Sequence, residues 1–153
     1  MSFLSDGTLL ELGTTLLNPF NPDNVEPCSY DLTLETVEAP YNFKDTSHFL
    51  VKPFEFCLAT TVETVSLPNH LGARVEGKSS MGRRGLFIHV TAGWIDPGFN
   101  GQITLELFNC TQDEMYLTKG QRIAQLAFFE LDKPALRPYE GKYQNQRGAV
   151  GPR

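Results

Sequence analysis

Residues 86–109 read LFIHVTAGWIDPGFNGQITLELFN, and this stretch decides the fold class. Two short apolar runs, 86–91 and 102–109, flank a segment punctuated by Gly93, Pro97, Gly98 and Gly101. Such runs, bounded by Gly and Pro, predict strands on either side of a tight hairpin turn. In the second run Ile103, Leu105 and Leu107 fall at alternate positions, so Glu106 shares the opposite face with Thr104 and Phe108.

The same pattern continues outward in both directions. Residues 29–37 (SYDLTLETV) alternate, with Tyr30, Leu32 and Leu34 on one face and Asp31, Thr33 and Glu35 on the other. Residues 56–67 are rich in β-branched side chains, and 122–130 (RIAQLAFFE) add a further strand. A helix is expected only over 6–17, with Asp6 as its cap. The expectation is therefore one all-β domain over 1–153, a barrel or sandwich of antiparallel, meander or jelly-roll character. The closing KYQNQRGAVGPR holds little that can pack and reads, taken alone, as a disordered tail.

Composition removes whole classes of function. Hydrophobic residues make up 41% and charged residues 20%, a globular balance. The longest apolar runs, such as LAFF at 126–129, fall far short of the roughly 20 residues a membrane helix needs. The N-terminal MSFLSDGTLLELG has no basic start and no long apolar centre, so no secretory signal is expected. A net charge of −5 argues against general nucleic-acid binding, while leaving room for one basic loop that takes a small phosphorylated molecule. Cys28, Cys57 and Cys110 are odd in number and widely spaced, which suggests no disulfide framework and fits the reducing cytoplasm.

Several chemistries are missing their signatures. The chain lacks GxxxxGK(S/T), a helix-opening GxGxxG, HExxH and the H-x-E…P-C-x-x-C pattern of zinc deaminases. His48, His70 and His89 are scattered, so no zinc site is expected. What stands out is GKSSMGRRG at 77–85, which combines small residues, two hydroxyls and the charges of Lys78, Arg83 and Arg84. That mixture suits a phosphate chain, and it equally suits a basic turn between strands. Asp96 fits either a turn that caps its own backbone or a ligand contact. Glu106, between two leucines, is either a solvent-facing strand carboxylate or a partly desolvated one that moves protons.

Taken together, GKSSMGRRGL and HVTAGWIDPGFNGQITLE resemble two motifs of the dCTP deaminase branch of the trimeric dUTPase superfamily. Those motifs are written G-(R/K)-S-S-x-x-R-x-G-L and H-x-T-A-x-x-I-D-x-G-(F/W)-x-G-x-I-x-L-E. CSYDLTL, KGQRIAQL and RPYEGKYQNQRGAV match further motifs, in the right order and over most of 27–153. Two features separate the chain from a plain dUTPase, which has an aliphatic residue at the place of Glu106 and GRSG at the place of GKSS.

The resemblance implies a distorted dUTPase-like β-barrel or jelly roll, assembled as a homotrimer whose neighbouring subunits share each site. It implies that Lys78, Ser79, Ser80, Met81, Gly82 and Arg83 hold the triphosphate, with Ser79 and Arg83 ordering the attacking water. Ala92 meets the base through its backbone and Asp96 the deoxyribose 3′-hydroxyl. Thr104 and Leu105 flank the proton shuttle Glu106, and Gln125 is a further nucleotide contact. Tyr139, Lys142 and Gln146 match the phosphate contacts of a C-terminal lid, here 140–153, mobile when free and ordered on the nucleotide. Mg2+ arrives with the triphosphate, held mainly through its phosphates, and dTTP feedback inhibition is known among members. Gly93-Trp94 stands where deaminases that stop at dUTP carry His-Arg. It resembles the branch that also releases pyrophosphate, because Gly93 leaves room for a second water and Trp94 replaces a charge with an apolar surface. The chain departs from the family by its compactness near the N-terminus and around 37–50, and by the tight spacing of Tyr139 and Lys142. A deaminase stopping at dUTP, a plain dUTPase and a non-catalytic nucleotide-sensing trimer are the alternatives.

Overall fold

The computed structural model describes residues 2–38 and 47–153; most of the compact segment around 37–50 lies outside them. The elements in chain order are α1 (Asp6–Leu16), β1 (Leu17–Asn18), β2 (Val25–Glu26), β3 (Ser29–Glu38), β4 (His48–Val51), β5 (Phe56–Ser66) and β6 (Leu71–Gly77). They continue with α2 (Ser79–Gly82), β7 (Leu86–Phe87), β8 (Trp94–Ile95), β9 (Asn100–Asn109), β10 (Met115–Thr118) and β11 (Arg122–Glu130). The expected helix is present, with Leu9, Gly13 and Leu16 buried. Its cap is the extended Ser5 rather than Asp6, whose carboxylate accepts instead from the Gly7 amide at 2.8 Å in the first turn. Gly13 is required there, because a Cβ would lie 2.1 Å from the Phe20 ring.

A nine-stranded antiparallel sheet runs β7-β9-β5-β3-β11-β6-β8, with β1 on β5 and β2 on β3. β4 and β10 form a separate ribbon. The connection from β8 to β9 explains the curl. These strands are five steps apart along the sheet, about 24 Å if it were flat. The Asp96–Phe99 link allows at most about 18 Å between Ile95 and Asn100. The sheet must therefore bend until its ends approach, and the barrel encloses Tyr30, Leu32, Leu105, Leu107, Ile123 and Phe128. The expected hairpin is corrected accordingly. β8 pairs with β6, Ala73 facing Ile95, and the turn at Pro97-Gly98 hands the chain across the barrel to β9. Gly98 makes that turn at φ 89°, with Pro138 Cβ only 2.6 Å from where its own Cβ would stand. The expected strand 86–91 stops at Phe87, because the following residues leave β9 to run beside β6, where the Val75 amide donates to Gly93 O at 2.8 Å.

Two irregularities meet at one point of the sheet. β3 shifts register against β5 between Leu34 and Thr36, and β5 against β9 between Thr60 and Thr64. Glu63, in the second bulge, is 2% exposed and accepts from the Thr33 amide at 3.0 Å and the Thr33 hydroxyl at 2.8 Å. Burial pushes its carboxyl above the ordinary 4.5, opposed by those two hydrogen bonds and reinforced by the charge of Glu35. The folded protein thus binds this proton more tightly than the unfolded chain. The stabilisation is fully present below the ordinary value and is lost as pH rises through the raised one. Wild type is expected to lose thermal stability relative to Glu63→Gln as pH rises above the ordinary carboxylate range. A difference in melting temperature that is flat, or that grows in favour of wild type with pH, would refute this.

Candidate active site

β9 supplies the centre of the site. Leu105 and Leu107 are fully buried in the barrel, which leaves Thr104 and Glu106 on the other face, each half-buried. That face forms one wall of a cleft of about 580 Å³, a volume in the range of small-molecule sites. Ala92, Trp94 and Asp96 form a second wall, and Tyr139 and Gln146 a third. The Thr91 hydroxyl donates to Glu106 Oε2 at 3.3 Å. Tyr139 packs edge-to-face on Phe99, with ring centroids 5.8 Å apart. Leu105, expected beside the nucleotide, does not line the cleft; its side chain belongs to the core.

The tail is seated rather than loose. Asn145 donates to Asn100 O at 2.7 Å, and the Gln102 amide donates to Gln146 O at 3.1 Å, so the segment runs parallel to the start of β9. Asn145 and Gly148 adopt φ 59° and 70°, the left-handed conformation that Asn and Gly tolerate best. The Val150 amide donates to Thr104 Oγ1 at 3.2 Å, which brings Val150, Gly151 and Pro152 to the cleft wall. Composition misled here because the tail is held by amides of Gln and Asn, not by apolar groups. Lys142 does not line the cleft; its ammonium donates to Arg153 O and lies 5.2 Å over the Tyr143 ring.

The phosphate-loop residues lie elsewhere. None of Lys78, Ser79, Ser80, Met81, Gly82 or Arg83 lines this cleft. They form one helical turn, closed by the Gly82 amide on Lys78 O at 3.1 Å and the Arg83 amide on Ser79 O at 3.0 Å. Ser79, Ser80 and Arg83 are exposed, whereas Met81 turns inward against the core. Lys78 is ion-paired to Asp31, which is fully buried and lies 3.6 Å from Arg122. Asp31 Oδ1 has no hydrogen-bond partner. Gln125 is on the same strand pair, opposite Asp31, and donates to Ser29 Oγ at 3.3 Å. Within a single chain the Glu106 cleft and the basic turn of Arg83 are thus separate.

Asp31 and Arg122 lay inside the quoted motifs without a role. Strict alternation would have put Asp31 on an outer face, but β3 is covered on both sides at that point. Thr91 carried no signal beyond its motif. Gly93 fills a tighter place than expected. A Cβ would lie 2.8 Å from Val75 O and 3.2 Å from the His89 ring, so the space spared by glycine is spent on packing against β6. Both ring nitrogens of His89 are buried and lack a partner, and the ring lines both this cleft and an adjoining 330 Å³ cavity. Trp94 is 55% exposed and packs on Phe129, with centroids 4.7 Å apart.

A curled antiparallel barrel is the architecture of the dUTPase-like fold. A dUTPase from phage phi11 of S. aureus, whose structure details a structural Mg(II) ion, matches at TM-score 0.58 and 16% identity, over 81% of this chain and 90% of its own. The 2′-deoxycytidine 5′-triphosphate deaminase of Agrobacterium tumefaciens matches at TM-score 0.69 and 22% identity over 82% of this chain; only 47% of that longer chain is covered. Residues 40–131 match the family model described as dCTP deaminase-like. A relative from Aquifex aeolicus, "dCTP deaminase, dUMP-forming", is 43% identical over 93% of this chain and 87% of its own length. The chain belongs to the dCTP deaminase-like family. Among the described residues no group of three His, Cys, Asp or Glu side chains is placed to hold a metal ion, and no helix is long and apolar enough to cross a membrane.

Proposed function

We propose that the protein is a homotrimeric hydrolase that deaminates dCTP and releases pyrophosphate, giving dUMP. The observation that carries this reading is Glu106, a carboxylate on the wall of a cleft between Thr104, Ala92 and Asp96. Water is a poor nucleophile, so a positioned base must take its proton as it attacks C4 of cytosine. Glu106 takes that proton and delivers it to N3, then carries the remaining hydroxyl proton at C4 to the amine, which leaves as ammonia and frees a carbonyl at C4. Asp96 holds the 3′-hydroxyl, and the Ala92 backbone reads the base. A second water then attacks the α-phosphate and pyrophosphate leaves. Mg2+ enters as the partner of the triphosphate, held mainly through its phosphates. The half-site of Lys78, Ser79, Arg83 and Gln125 comes from a neighbouring copy, and 140–153 acts as the lid, closing over the substrate through Tyr139 and Gln146. dTTP occupying the same pocket would act as a feedback inhibitor.

Incubation with dCTP, dUTP or dCMP plus Mg2+ tests the reading directly. Ammonium, pyrophosphate and dUMP are expected from dCTP, and dUMP from added dUTP. Ammonium accompanied by stoichiometric dUTP, with added dUTP left intact, would reduce the assignment to a simple deaminase.

A further inference from the structure

We propose that Gln102 is a positioning residue that latches the C-terminal lid, and that Glu35 fixes the orientation of the latch; the inference rests on the lid reading above. Gln102 meets the tail at three points. Its amide donates to Gln146 O at 3.1 Å, its carbonyl accepts from Gln146 Nε2 at 2.8 Å, and its side-chain Oε1 accepts from the Gly148 amide at 2.8 Å. It does not line the cleft, so it acts through the tail and not on the substrate.

The side chain reaches the tail because the sheet is irregular there. The bulge in β5 takes Thr61 out of the ladder with β9. Thr61 then serves β9 in another way, with its hydroxyl accepting from the Ile103 amide at 3.1 Å and its carbonyl accepting from Gln102 Nε2 at 3.0 Å. The bulge in β3 brings Glu35 to the same carboxamide, and Gln102 Nε2 donates to its Oε2 at 2.6 Å. Both hydrogens of the side-chain amide are then committed, to a carboxylate and to a carbonyl. Only the oxygen is left, and it faces the Gly148 N–H. A flipped amide would set N–H against N–H at Gly148 and oxygen against oxygen at Glu35. A carboxylate at position 35 therefore dictates which way the latch points, and the latch sets where Gln146 and Val150 meet the cleft.

The test uses the full-length protein and two readouts. Gln102→Met keeps the volume but removes both donor and acceptor. Hydrogen exchange over 146–150 in the nucleotide-free variant is expected to accelerate about tenfold, the worth of one net hydrogen bond, while Leu105 and Leu107 amides stay protected. KM for dCTP is expected to rise about tenfold with kcat within about threefold. Glu35→Gln should fall between Gln102→Met and wild type, because a side-chain amide can still accept from Gln102 but no longer excludes the flip. Unchanged exchange over 146–150, or a fall in kcat at constant KM that follows the loss of folded protein, would overturn the latch. Wild type that leaves dCTP intact would refute the enzymatic reading instead, and the exchange measurement would still decide the latch.

Discussion

Glu106→Gln is expected to give a folded protein that binds dCTP and releases almost no ammonium from it. The substitution is nearly isosteric on a strand whose neighbours Leu105 and Leu107 are locked in the core, so the barrel has no reason to change. The new side chain keeps an oxygen that can accept from the Thr91 hydroxyl, now 3.3 Å from the carboxylate. It loses the ability to take a proton from water. General-base assistance is worth about 10²–10⁴-fold, and because the same group is proposed to protonate N3 and the leaving ammonia as well, the loss should lie at the upper end. The measurement is ammonium release under saturating dCTP, beside nucleotide affinity and the thermal midpoint, both expected at wild-type values. Ammonium release at the wild-type rate would remove Glu106 from the chemistry and leave the cleft as a binding pocket.

Much of this site was legible in the sequence, and what was not has identifiable physical causes. The alternation of Ile103, Leu105 and Leu107 placed Glu106 on the right face, because period-two burial is a local property of a strand. The punctuation by Gly and Pro gave the ends of β3, β5, β9 and β11 to within a few residues. Pairing is not local, and there the reading failed. Two runs joined by a turn suggested a hairpin, whereas Trp94-Ile95 pairs with β6 and β9 lies near the other end of the sheet. β6 itself, LGARVEG, was missed because two glycines and two charges dilute its apolar signal, although Ala73 and Val75 are buried. The bulges that seat Glu63 and aim Gln102 at the tail depend on three strands at once, which no single segment encodes.

The separation of the Glu106 cleft from the basic turn leads to the second large effect. Arg83→Ala would remove the proposed charge-assisted phosphate contact, worth about 1.5–3 kcal/mol, so turnover should fall by about ten- to hundredfold on its own. Each of that variant and Glu106→Gln should be impaired alone, yet their mixture should recover activity. No residue of 78–83 lines the cleft that holds Glu106 in the same chain, so in the proposed trimer a productive site would take its carboxylate from one copy and its arginine from the next. In a ring of three such heterologous contacts, co-assembly at equal amounts puts an intact Glu106 beside an intact Arg83 in about one quarter of the sites. Co-expressed variants should therefore recover about a quarter of wild-type ammonium release, well above the sum of the two separate variants. Had each chain served its own cleft, every site in the mixture would carry one defect and mixing would restore nothing. Recovery thus reports on geometry alone: it requires that Arg83 reach across a subunit boundary to a phosphate whose base sits against another chain's Glu106.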